Sequence, residues 1–86
     1  MRISTTVTFE KRLGKLPVRL QVKFRQRMLL FVQDPQNPLL KVHALRGGLL
    51  GYSAFSVTGD YRVVYRVIAA DRIELTNIGT HSQIYK

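Results

Sequence analysis

Cysteine is missing altogether, and acidic residues are scarce: five Asp and Glu stand against fourteen Lys and Arg in 86 residues. Without cysteine there is no disulfide framework, no thiolate metal site and no cysteine nucleophile. No apolar run approaches the roughly 18 residues of a membrane span. The opening Met1–Phe9 also lacks the apolar core of a secretory signal. A cytoplasmic protein with no membrane partner, no metal and no cofactor is therefore expected. There is no internal repeat and no low-complexity segment.

What is present is positive charge and enough apolar material for one core. A chain this short buries only roughly 60% of its unfolded surface, so residues 1–86 are expected to form a single domain, and 45% hydrophobic residues suffice for it to fold. The net charge of +9 points to a polyanionic partner. It is lopsided, since residues 1–33 hold eight Lys or Arg against one Glu and leave only +2 for the rest.

Along the chain the texture changes twice. Ile3, Thr5, Val7 and Phe9 alternate with polar neighbours, which predicts a strand over residues 2–9. Glu10–Leu16 reads as a short helix or turn. Pro17 suits the first position of a second helix running to about Gln33, which Asp34-Pro35-Gln36-Asn37-Pro38 terminates. At 100° per residue Val18, Leu20, Val22, Phe24, Met28, Leu29, Phe31 and Val32 share a broad arc expected to lie against a sheet. Arg19, Lys23 and Arg27 line the other side, as a solvated face or as contacts to RNA phosphates. From Lys41 onward short β-rich runs follow, at Lys41–Leu45, Tyr52–Thr58, Tyr61–Ile68 and Ile73–Ile78, with links short enough for an antiparallel meander. The expected class is α+β, in the order β-α-α-β-β-β-β.

Two places carry chemistry. In Tyr61–Ile68 the period of two sets Tyr61, Val63, Tyr65 and Val67 toward a core and puts Arg62 and Arg66 on the opposite face. At the end, Thr80 can cap a final helical turn that brings His81 and Tyr85 together.

The segments Leu45-Arg46-Gly47-Gly48-Leu49-Leu50-Gly51-Tyr52, Gly59-Asp60-Tyr61-Arg62-Val63-Val64-Tyr65-Arg66-Val67 and Ile78-Gly79-Thr80-His81-Ser82-Gln83-Ile84-Tyr85 resemble the RelE/ParE toxin superfamily, and its YafQ- and HigB-like branches most. The resemblance spans essentially the whole chain. It implies a RelE-like fold and the toxin of a type II toxin–antitoxin pair, a metal-independent endoribonuclease that cuts mRNA on the ribosome. Cleavage by a neighbouring 2′-hydroxyl needs a general acid and base, a task for His near neutrality, and a fixed cation on the phosphate, a task for Arg.

On that resemblance His81 moves the proton, Tyr85 stacks on a base or orients the phosphate, and Arg62 holds the scissile phosphate. Arg62 alternatively forms a cross-strand ion pair with Asp71 or Glu74. Asp60 matches an acidic position beside the active site or is turn chemistry, and His43 is a second proton carrier or a partly buried strand histidine. Lys41 and Arg46 flank His43 as phosphate contacts. Where YafQ-like relatives place a further histidine the chain has Ser56, which leaves the general base unassigned. The implied partners are a cognate antitoxin, mRNA and the ribosome, with DNA reached only through the antitoxin. Two other functions remain open: a ParE-like gyrase inhibitor, and a non-catalytic basic nucleic-acid-binding module.

Overall fold

A computed structural model describes residues 1–85. Its elements are β1 (Arg2–Thr5), α1 (Val7–Gly14), α2 (Val18–Gln33), β2 (His43–Ala44), β3 (Ser53–Ser56), β4 (Tyr61–Ala69), β5 (Arg72–Thr80) and α3 (His81–Ile84), with 3-10 turns at Pro38–Leu40 and Gly47–Leu49. The five strands form one sheet in the order β1-β5-β4-β3-β2. β1 lies parallel to β5, and the rest is the expected antiparallel meander. The α+β class and order of elements agree with the expectation from sequence.

The opening differs from its alternating pattern. The strand stops at Thr5, because the Thr6 hydroxyl accepts from the Phe9 N–H at 3.1 Å and caps α1, while donating to the Thr76 carbonyl at 3.1 Å. Val7 and Phe9 are therefore helical, and Phe9 turns into the core. The Lys41–Leu45 strand shrinks to His43–Ala44, since a 3-10 turn capped by Asn37 occupies the residues before Lys41.

The main core lies between the helices and one face of the sheet. Phe9 and Phe24 meet at 5.5 Å, Phe31 stacks on Phe55 at 4.8 Å, and Val63, Tyr65, Leu75 and Ile78 supply the floor. Along α2 only Leu20, Phe24 and Phe31 are buried. Val18, Val22, Leu29 and Val32 face solvent, Leu29 at 65% exposure. The expected arc is thus split: the covered stripe is Leu20, Phe24 and Phe31. Arg27 flanks it half-buried and donates to the Leu39 carbonyl at 3.2 Å rather than projecting outward with Arg19.

The opposite face of the sheet carries a smaller cluster of Leu45, Ala54, Val64 and Ile84, with Leu49 and Tyr52 against it. Val64 is buried there, whereas Val67 on the helix side is 64% exposed because α2 ends before reaching it. This second cluster anchors α3.

Candidate nucleic-acid interface

The interface is assembled on the face opposite α1 and α2. Register aligns His43, Ala54, Val64 and Asn77 in one row across β2 to β5, and Ser56, Arg62 and Gly79 in the next. Side chains in both rows leave the sheet on the same side. Arg62 is half-buried and has no carboxylate partner among the described residues. The ion pairs allowed for it are taken elsewhere: Asp71 meets Arg2 at 3.7 Å, and Glu74 meets Arg66 at 2.9 Å. Because Arg66 is the register partner of Glu74, the pair forms there. Arg66 thus reaches a phosphate only by sharing or giving up that carboxylate.

α3 closes over this face. Thr80 and Gln83 form a reciprocal capping box, the Thr80 N–H donating to Gln83 Oε1 at 2.9 Å and the Gln83 N–H to Thr80 Oγ1 at 3.3 Å. Gly79 makes room for it, since a Cβ there would stand 2.7 Å from Gln83 Oε1. Ile84 is seated on Ala54 and Val64. His81, three residues earlier, leaves the helix about 60° around from Ile84 and is exposed. The His81 and Tyr85 rings meet at 4.4 Å between centroids, tilted by 39°.

Tyr85 also lines a cavity of about 330 Å³ with Arg46, Gly48, Leu49 and Ile84. Sequence reading had placed Tyr85 and Arg46 in the site but missed the wall between them. Its signal lay in two of the three glycines of the Leu45–Tyr52 segment: Gly47 and Gly51 adopt φ of 62° and 94°, the left-handed conformation that lets the chain double back beside the tail.

His43 is exposed on β2. Its Nδ1 lies 2.9 Å from the Lys41 carbonyl. A carbonyl only accepts, so Nδ1 carries the proton and neutral His43 presents Nε2 as a lone pair to solvent. Lys41 is exposed next to it. Asp60 stands apart at the tip of the β3–β4 turn, exposed, its N–H bonded to the Thr58 hydroxyl at 3.3 Å. The structure thus gathers His81, Tyr85 and Arg46 around the tail, puts Arg62 and His43 on the adjoining sheet face, and leaves Asp60 and Arg66 outside that grouping. Among the described residues there is no group of three His, Asp or Glu able to hold a metal ion, and no helix is long and apolar enough to cross a membrane.

The chain belongs to the family described as the ParE toxin of type II toxin–antitoxin systems, whose model matches residues 3–85. Among solved structures it resembles YafQ from E. coli strain BL21(DE3), with a TM-score of 0.83, 21% identity and full coverage of both chains. The YoeB/ParE toxin from Agrobacterium tumefaciens matches with a TM-score of 0.77 and 24% identity over 94% of this chain and 99% of that one. The E. coli DinJ–YafQ toxin–antitoxin complex matches at 0.79 and 20% identity, over 98% and 96% respectively. No curated protein matches the chain significantly by sequence.

Proposed function

We propose that the protein is a metal-independent endoribonuclease, the mRNA-cleaving toxin of its pair, acting on translated messages at the ribosome. The observation that carries this reading is Arg62, a cation free of any carboxylate among the described residues, on the sheet face that the His81–Tyr85 tail borders. A gyrase inhibitor would need neither Arg62 nor His81, so their joint presence supports RNA cleavage over that alternative.

The chemistry follows from these groups. A general base takes the proton of a ribose 2′-hydroxyl, and the oxygen attacks the adjacent phosphorus. The 5′-oxygen then leaves with a proton from a general acid, giving a 2′,3′-cyclic phosphate and a 5′-hydroxyl. Arg62 neutralises the pentacoordinate phosphate with paired N–H donors. His81 is the proton donor to the leaving oxygen, and Tyr85 holds the neighbouring base by stacking. His43, with Nε2 unprotonated in its neutral form, is the best-prepared base on this face. Lys41 and Arg46 take flanking phosphates. The partner is an antitoxin whose acidic, disordered segment folds over the basic face and blocks it.

The test is induced expression of the wild type and of His81→Ala without any partner, followed by mapping of transcript ends. In-frame cuts in translated messages that vanish in His81→Ala while RNA binding persists are the expected result; a loss of 10²–10⁴-fold, roughly the worth of one proton-transfer group, is expected in the cutting rate. Toxicity unchanged in His81→Ala, or inhibited DNA supercoiling without cut transcripts, would overturn it.

A further inference from the structure

A notch of about 280 Å³ opens at the edge of the sheet, lined by Arg27, Lys41, Ser56 and Thr58 with the chain at Pro38–Leu39. It exists because β2 is too short: β2 pairs only with Ser53 and Ala54, so among the described residues the second half of β3 has no strand paired to it on that side. The Val57 N–H bonds the Tyr61 carbonyl at 2.9 Å. Since successive N–H groups of a strand point to opposite sides, that of Ser56 is directed away from β4, toward the uncovered edge.

Every polar side chain that lines the notch can donate, and none is a carboxylate. Arg27 is fixed by its one bond from Nη1 to the Leu39 carbonyl, which leaves the rest of its fork without a protein partner among the described residues. Lys41 is the only described non-glycine residue with positive φ, at 49°. A lysine stays in that conformation only where its surroundings hold it. Here its N–H bonds the Pro38 carbonyl at 3.2 Å and its carbonyl receives His43 Nδ1 at 2.9 Å. The backbone is thus set where Lys41 lines the notch.

We infer that this notch is a second phosphate subsite, holding a backbone phosphate of the same RNA strand whose scissile phosphate lies on Arg62. The inference rests on the endoribonuclease reading and adds Arg27, Ser56 and Thr58 to the substrate-binding surface. Ser56 joins the two places, because it is the register partner of Arg62 on the shared face and also lines the notch. A strand lying over Arg62 and leaving across β3 therefore brings its next phosphates over the open edge. There two cations, two hydroxyls and one N–H meet it, a donor set matched to phosphate oxygens rather than to a base edge.

The test is equilibrium binding of a short unstructured single-stranded RNA as a function of salt, in a His81→Ala background so that the probe stays intact. Each phosphate contact contributes about 0.7 to the slope of log K against log salt, so Arg27→Gln with Lys41→Gln, which strips the subsite of both cations, should lower it by about 0.7. Lys41→Gly alone should lower it by a smaller amount while leaving the thermal midpoint unchanged or higher, because glycine accepts the left-handed conformation; this separates a lost contact from a damaged fold. An undiminished slope in both variants overturns the subsite. If the wild type binds RNA but never cuts it, the nuclease reading fails and the slopes still decide the notch. If RNA does not bind at all, both fall.

Discussion

Individual side chains show where the fold is and is not optimised for stability. Ser4 lies on β1 with a buried hydroxyl that has no hydrogen-bond partner among the described residues. Such a group loses its water and gains nothing, at a cost of about 1–3 kcal/mol. Ser4→Ala is therefore expected to raise the urea midpoint, by about 1 kcal/mol in stability, and a drop would mean that the hydroxyl is satisfied in solution. Tyr65 is the reverse case, a buried phenol at 5.2 Å from the Phe31 ring. Burial pushes its pKa above the ordinary value, against a smaller opposing effect of Ser53. With the folded pKa raised, the contribution is full below the unfolded value and is lost as pH rises past about 10. The wild type should accordingly lose stability across that alkaline range, and Tyr65→Phe should lose less over the same pH titration of the unfolding midpoint.

Helices and strands differ in how far the sequence alone defines them. β3, β4 and β5 were readable because period-two alternation and short polar links agree with one meander. The start of β1 was readable but its end was not, because Ile3, Thr5, Val7 and Phe9 keep the strand rhythm across the point where the Thr6 hydroxyl starts a helix. In α2 nine apolar positions spread over more of the helix than one sheet face can cover, so pattern alone could not say which ones the sheet takes. The covered side includes Lys23 and Arg27, half-buried on long apolar stems. Denaturation midpoints check this division. Phe24→Ala should cost about 3 kcal/mol or more, whereas Leu29→Lys, on the exposed stripe, should change stability by no more than about 0.5 kcal/mol. Equal losses would put Leu29 back in the core. The candidate site was readable in the same uneven way. His81 and Tyr85 are i and i+4 of a capped turn, a local matter. Which of Arg62 and Arg66 stays unpaired depends on the β4–β5 register, which brings Glu74 opposite Arg66.

The molecule as a unit is one sheet with a large core on one face and a four-residue cluster on the other, and the proposed chemistry sits at the weaker side. A four-residue helix such as α3 is far too short to persist alone, so it exists only while Ile84 is seated on Ala54 and Val64 and the Thr80–Gln83 box holds. Opening it exposes little of the main core, so its free energy should lie well below that of global unfolding. Ile84→Ala removes the anchor at a cost near the lower end of buried truncations, about 2 kcal/mol. That is enough to release the tail without unfolding Phe55 or Val63. Hydrogen exchange reads this directly: the Tyr85 amide, bonded to the His81 carbonyl at 2.9 Å, should lose its protection in Ile84→Ala while the amides of Phe55 and Val63 keep theirs. RNA cleavage should fall in parallel with Tyr85 protection. Equal acceleration at Tyr85, Phe55 and Val63 would instead mean that tail and core open together, and that the site cannot loosen without the fold.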